Sequence, residues 1–146
     1  MRSENKGKIA MFWKRMDSVV KCSLCYRMCT IKEGKRGFCG VRINRNGTLY
    51  SLVYGKITAA NIDPIEKKPL FHFHPGSSTF SISTVGCNFR CQFCCNWVLS
   101  QETEIIGREV SPETIVKWAL KYGANGISYT YNEPTVFYEF AYDTAK

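Results

Sequence analysis

Residues 80–95 have the sequence FSISTVGCNFRCQFCC, and this stretch decides the fold. Its first part, residues 80–85, is β-rich and predicts a strand. Three cysteines follow with the spacing C-x3-C-x2-C, and we call them the motif cysteines: Cys87, Cys91 and Cys94. Three thiolates on one short loop suit a cubane iron–sulfur cluster, which normally takes four protein ligands. One iron would then keep an open position, as a catalytic metal does.

Two other interpretations apply to this loop. The thiols could form a zinc knuckle, or they could simply be buried, although a zinc site usually completes four ligands within its group. Cys95 could supply the fourth thiolate. Adjacent residues rarely reach one metal together, so we interpret Cys95 as a spare thiol near the cluster.

Beyond the loop, strand and helix patterns alternate. Ser111-Pro112-Glu113 predicts a helix start, because serine caps, proline suits the first helical position and an acid suits the first turn. A second strand is predicted at 126–131, a loop from Asn132, and a second helix from about Thr135. This βα repeat predicts parallel strands, whose ligands lie at their carboxyl ends. The cysteine loop and the Asn132 loop would then lie side by side.

The region before residue 80 contains a second set of cysteines. They have the spacing C-x2-C-x3-C-x9-C, and we call them the N-terminal cysteine group: Cys22, Cys25, Cys29 and Cys39. Clustered cysteines in a reducing compartment usually hold a metal. Zinc and an auxiliary iron–sulfur cluster are the two candidate occupants of this group. Zinc is slightly favoured, because the spacing differs from that of the ferredoxin cysteine motif.

The sequence therefore predicts three regions. Residues 1–21 form a basic leader with a short helix through Met11 to Met16, and residues 22–79 form a Cys-rich metal-binding region. Within the latter, Asn46-Gly47 predicts a β-hairpin, and the prolines of 56–79 predict loops. Residues 80–146 begin the alternating βα part.

Composition narrows the class of protein. The chain has 146 residues, eight cysteines and a net charge of +8. The basic residues are scattered, which disfavours specific nucleic-acid binding. No apolar run suits a membrane span, and residues 1–10 lack the apolar core of a signal peptide. We therefore expect a cytoplasmic protein without a membrane partner.

The chain resembles the radical S-adenosylmethionine (SAM) superfamily, whose signature is this cysteine spacing with an aromatic residue before the last cysteine, here Phe93. Three segments look like the AmmeMemoRadiSam system radical SAM enzymes, which are relatives of the pyruvate formate-lyase activating enzyme. They are IDPIEKKPLFHFHPGS (62–77), STVGCNFRCQFC (83–94) and SYTYNEPTVFYE (128–139). The resemblance covers about residues 20–146.

The resemblance implies a 4Fe–4S cluster on the motif cysteines and SAM on the fourth iron. It also implies an α/β fold in which the Cys-rich region precedes the first two βα units of a partial (β/α)6 barrel. Relatives hold the SAM amino group with a Gly-Gly-Glu-Pro-like motif. The stretch matching it here is 131–134, where Asn132 and Glu133 are the candidate contacts. Glu133 could instead serve as a helix N-terminal acid. Cys95 stands where relatives usually carry glutamine.

The expected function is hydrogen abstraction by a 5′-deoxyadenosyl radical from an unknown substrate. An electron donor such as flavodoxin or ferredoxin and a protein substrate are the expected partners. The alternatives are a glycyl-radical-enzyme activase and a non-catalytic zinc-binding interaction module. His72 and His74 are expected to be half-buried strand residues rather than ligands. Because 67 residues hold two βα units, we expect the chain to be an incomplete catalyst, a fragment or truncated product.

Overall fold

The computed structural model describes residues 7–146; residues 1–6 of the predicted basic leader lie outside the described part. The fold is mixed α/β, with several small sheets. The strands of the described part are β1 Lys8–Ile9, β2 Trp13–Met16, β3 Val19–Cys22, β4 Thr30–Lys32, β5 Arg42–Arg45, β6 Thr48–Ser51, β7 Lys56–Ile57, β8 Ala59–Pro64, β9 Ser78–Ser83, β10 Arg108–Glu109 and β11 Gly126–Tyr129. The α-helices are α1 Trp97–Ser100, α2 Pro112–Lys121 and α3 Tyr138–Ala145, and short 3-10 turns cover Ile65–Lys67 and Pro134–Phe137.

The predicted helix through Met11 to Met16 is wrong. Residues Trp13–Met16 form β2, which pairs antiparallel with β3, and β3 pairs with β4. The reason is tertiary, since Val20 and Cys22 alternate into a core beside Leu49, and strand pairing places them there. The turn between β2 and β3 has Asp17 at a φ of 48°.

The hairpin predicted around Asn46-Gly47 is confirmed. Strands β5 and β6 pair antiparallel, with Arg45 opposite Thr48. Asn46 and Gly47 have φ angles of 53° and 73°, and this left-handed pair is what a two-residue type I′ turn requires.

A three-stranded sheet in the order β11-β9-β8 positions the cysteine loop. Strands β9 and β11 pair parallel, with Phe80 opposite Ile127, so the predicted parallel pairing is confirmed. Strand β8 pairs antiparallel with β9 within the segment predicted as loop, so that part of the prediction is wrong. Pro64 is tolerated because β8 is an edge strand and Pro64 is its last residue.

The helices after the cysteine loop follow the sequence signals. Ser111 caps α2 by accepting a hydrogen bond from the N–H of Thr114 at 3.3 Å, as predicted. The second predicted helix begins as the 3-10 turn Pro134–Phe137 and continues as α3. A core of Phe80, Ile82, Ile115 and Phe140 joins α2 and α3 to the sheet. The expected barrel stays a prediction.

None of the helices in residues 7–146 has the length and apolarity to cross a bilayer.

Asp63 on β8 anchors the loop that follows it. It is buried and accepts hydrogen bonds from Lys67 at 2.7 Å, Lys68 at 2.8 Å and the Tyr131 hydroxyl at 2.7 Å. Burial by itself raises the pKa of this carboxyl, but the bonds from Lys67 and Lys68 outweigh it and hold the pKa well below its usual range.

We therefore expect Asp63 to stabilise the fold above the carboxyl pKa of the unfolded chain, about 3.9, and to lose that contribution as the pH falls toward the lower folded pKa. Asp63→Asn should lower the free energy of unfolding at pH 7 by about 1–3 kcal/mol. Urea denaturation at pH 7 and pH 3 measures both values, and the difference between variant and parent should shrink at pH 3. Glu109→Gln, which removes an exposed partner of Lys56, is the control and should change little. An unchanged Asp63→Asn value at pH 7 would contradict this role.

Candidate metal centres and cofactor site

The cysteine loop leaves the carboxyl end of β9 through a tightly packed glycine. Gly86 has a φ of +87°, a conformation that favours glycine. A Cβ at this position would lie 2.4 Å from Val41 Cγ1 and 2.7 Å from the Cys39 carbonyl oxygen. The residue type is therefore dictated both by the backbone turn and by the close approach of the N-terminal region.

The loop orders its own thiols only in part. Cys87 is buried, and its sulfur accepts a hydrogen bond from the N–H of Phe89 at 3.4 Å. The Cys94 N–H donates to the Cys91 carbonyl at 3.2 Å, and the Cys94 sulfur lies 3.4 Å from Ser100 Oγ at the end of α1. Cys95 is exposed. The loop thus presents the motif cysteines at a strand end, and Cys95 points to solvent.

Two hydrogen bonds tie the cysteine loop to the loop after β11. Asn132 donates from Nδ2 to the Gly86 carbonyl at 2.6 Å, and Asn96 donates from Nδ2 to the Tyr131 carbonyl at 2.9 Å. The predicted side-by-side arrangement of these loops is therefore confirmed. Asn132 Oδ1 is buried and has no hydrogen-bond partner within residues 7–146. An unpaired buried acceptor costs about 1–3 kcal/mol, so this oxygen suits a ligand that donates an N–H.

The other predicted cofactor contacts, Glu133 and Phe93, do not join the two loops as Asn132 does. Glu133 accepts hydrogen bonds from the N–H and hydroxyl of Thr135 at 3.3 and 2.6 Å, so its carboxylate caps the 3-10 turn. Phe93 is 90% exposed. His72 and His74 lie in an exposed turn, not in a half-buried strand, so that expectation is wrong. The two prolines of this segment, Pro69 and Pro75, keep it out of the sheet.

The segment from β9 to α3 is similar to a known family. Residues 81–146 match the family model of the radical SAM superfamily. The match supports a member of that superfamily and suggests an enzyme-related protein. The chain is also 55% identical over 139 residues to "Uncharacterized protein MJ0808" of Methanocaldococcus jannaschii. That alignment covers 93% of this chain and 42% of the relative, so the chain spans about two fifths of the relative's length. No solved structure matches.

The N-terminal cysteine group surrounds a small cavity next to the radical SAM segment, residues 81–146. Its four sulfur-bearing residues lie at the end of β3, in the turn that follows, before β4 and before β5. All four line one cavity of about 20 Å³, which is room for a single water-sized occupant. The Cys22 N–H donates to the Cys29 carbonyl at 2.9 Å, which closes the loop between them.

Burial and backbone hydrogen bonds have opposite effects on the pKa of these thiols. Burial raises the pKa of Cys22 and of Cys39. Hydrogen bonds from the N–H of Leu24 to Cys22 and of Val41 to Cys39 work against this shift, as does the nearby charge of Arg42. N–H donors and a cation favour thiolates over thiols, which is what a metal site needs.

In neither cysteine group do the sulfur atoms lie in a metal-coordination geometry. Across residues 7–146, no three side chains of His, Cys, Asp or Glu converge closely enough to hold one metal ion as they stand. The fit of a metal therefore rests on the donor chemistry: three thiols on one loop at the strand end, and four around one cavity. Soft thiolate ligands select zinc and iron–sulfur clusters. Both groups fit such occupants by ligand type.

Contacts between the two cysteine groups involve residues that the sequence patterns did not single out. The Asn88 carbonyl accepts bonds from the Tyr26 hydroxyl and from Arg27 Nε, each at 3.2 Å. The Phe38 ring lies between two guanidinium groups, 3.8 Å from that of Arg27 and 4.3 Å from that of Arg90. Arg90 also donates to the Phe38 carbonyl at 3.0 Å. Arg27 and Arg90 stand close to the cysteines in the sequence, but the partners of their hydrogen bonds lie 61 and 52 residues away.

Proposed function

We propose that this chain is the cluster-binding part of a radical SAM enzyme in which Cys87, Cys91 and Cys94 hold a 4Fe–4S cluster. The observation that carries the proposal is the placement of the motif spacing at the carboxyl end of β9, within the radical SAM match. Parallel sheets bind ligands at that edge. A cluster bound there would supply the single electron that reductive cleavage of SAM requires.

The chain's own residues would bind and orient the cofactor. The unpartnered Oδ1 of Asn132 is a buried acceptor next to the cysteine loop, and it fits the amino group of SAM. Its Nδ2 holds the Gly86 carbonyl, so the same side chain fixes the start of the loop. Glu133 supports the loop as a cap through Oε1, which leaves Oε2 outside that cap. Phe93, with its ring exposed, is the second proposed cofactor contact.

The finer identity is part of the same proposal. The three quoted sequence segments support an enzyme of the AmmeMemoRadiSam type, related to the pyruvate formate-lyase activating enzyme. A flavodoxin or ferredoxin would supply the electron, and a protein substrate would supply the hydrogen atom. Because the chain spans 42% of its curated relative, we assign turnover to the longer protein and cluster binding to this chain.

A structural metal at the N-terminal cysteine group completes the proposal. The four side chains line one small cavity. Zinc bound by four thiolates is closed and tetrahedral, and such sites contribute directly to folding. We assign zinc to this position, and its occupancy would stabilise a region whose strands are each only three or four residues long.

Anaerobic purification of the 146-residue chain tests the proposal. The expected protein is brown, contains about four iron and four sulfide per chain in its cubane, and bleaches with dithionite. Addition of SAM should change the electron paramagnetic resonance spectrum of the reduced cluster. A colourless protein with two zinc ions and no sulfide would contradict the proposal and favour a non-catalytic zinc-binding module.

A further inference from the structure

A buried arginine outside both cysteine groups has hydrogen-bonding capacity that the protein leaves unused. Arg42 lies on β5, and its side chain is 2% exposed. Its Nη2 donates to Glu139 Oε1 at 2.5 Å and to the Met11 carbonyl at 2.9 Å. Its Nε and Nη1 are buried and have no partner within residues 7–146. Leaving a buried charged donor unpaired is costly, so an acceptor is expected near these nitrogens.

The surroundings of Arg42 indicate what that acceptor is. Arg42 lines the same cavity as the N-terminal cysteine group, and its charge acts on Cys22 and Cys39. Thiolates that bind a metal keep negative charge on sulfur and accept N–H bonds. Side chains that hydrogen-bond to metal ligands orient them, and their loss typically weakens metal affinity 10–100-fold.

The geometry points to Arg42 as the positioning residue of this metal site: its free Nε–H and Nη1–H groups bind the thiolates of a single ion held by Cys22, Cys25, Cys29 and Cys39. This inference rests on the structural metal proposed above. Four thiolates and one zinc ion carry excess negative charge, and a buried guanidinium stabilises it. The metal-bound thiolates would therefore be the acceptors that Nε and Nη1 of Arg42 lack.

Glu139 extends the connection into the radical SAM segment. It lies on α3, is also 2% exposed, and accepts a bond from the Met11 N–H at 2.7 Å in addition to the one from Arg42. Helix α3 follows the loop that carries Asn132. Filling the N-terminal site therefore fixes Arg42, and through Glu139 it fixes the helix behind the proposed SAM-binding loop.

Zinc competition measures the inference directly. The 146-residue chain and its Arg42→Gln variant are loaded with Zn²⁺ and titrated with a chromophoric chelator, and the cobalt-substituted forms give the thiolate charge-transfer spectrum. We expect Arg42→Gln to bind zinc about 10–100-fold more weakly with a shifted cobalt band. Arg42→Lys, which keeps a charge but fewer donors, should fall between. Arg45→Gln, on the opposite face of β5, should match the parent.

The second variant separates metal binding from the ion pair. Arg42→Gln strands the Glu139 carboxylate, which can destabilise the fold by about 3–5 kcal/mol. The double variant Arg42→Gln/Glu139→Gln removes that charge and should fold, yet keep the weakened zinc affinity and the shifted cobalt band. Parent-like affinity and spectrum in the double variant would overturn the role of Arg42 alone. A parent chain that takes up no zinc or cobalt at this site would overturn the metal site as well.

Discussion

Replacement of Cys87, Cys91 or Cys94 by alanine should abolish formation of the 4Fe–4S cluster. A cubane held by two protein thiolates lacks one of its three anchors. The Cys87 sulfur is buried at the strand end and is ordered by the Phe89 N–H, so its loss cannot be made good by local movement. Iron and acid-labile sulfide, measured after anaerobic reconstitution, should fall to near zero.

The matched control lies within the same loop. Cys95→Ala removes the same chemical group one residue beyond Cys94 and should leave iron and sulfide at the parent level. Loss of the cluster in Cys95→Ala, with one of the motif cysteines dispensable, would show that the ligand set is wrong. Zinc at the N-terminal cysteine group should be retained in all these variants, which separates cluster loss from unfolding.

Gly86→Ala is expected to be the most destabilising single-methyl substitution. Its Cβ would lie 2.4 Å from Val41 Cγ1 and 2.7 Å from the Cys39 carbonyl oxygen, at a φ of +87°. Backbone strain and overpacking each cost about 1–3 kcal/mol, so we expect a loss of about 2–6 kcal/mol in the free energy of unfolding. Chemical denaturation of the chain measures it, and cluster content should fall in parallel because Gly86 begins the loop.

Gly123→Ala provides the comparison. This glycine also has a positive φ, +67°, but no atom lies within 4 Å of its added Cβ. It should therefore show only the cost of the backbone conformation, about 1–2 kcal/mol. Equal losses in the two variants would mean that the approach of Cys39 and Val41 to the cysteine loop has no energetic consequence.

The elements that the sequence predicted correctly are those whose signals are local. The Asn46-Gly47 turn needs two residues with positive φ, and Ser111 needs only the N–H of Thr114. The parallel pairing of β9 and β11 could also be predicted, because a helix connects two strand patterns. By contrast, β2 and β8 depend on partner strands, and their own residues carried helix-like or loop-like patterns.

The candidate site divides in the same way. Spacing singled out the two cysteine groups, and the strand order explains why Asn132 meets Gly86. Arg42 could not be recognised, because a charged residue on a hairpin strand is usually solvated, and its partner Glu139 lies 97 positions later. Phe38 and Arg90 were missed for the same reason, since their contact joins segments 52 residues apart.

The pairing of β8 with β9 has a practical consequence for anyone dissecting the chain. The predicted boundary between residues 79 and 80 falls inside a ladder in which Asp63 faces Thr79 and Ile62 faces Phe80. A variant that starts at residue 80 would lack β8. Strand β9, which leads into the cysteine loop, would then have an unpaired edge that can pair with other molecules. We therefore expect residues 1–79 and residues 80–146 to aggregate when they are expressed separately. A protein that keeps β8 and β9 in one chain should not aggregate.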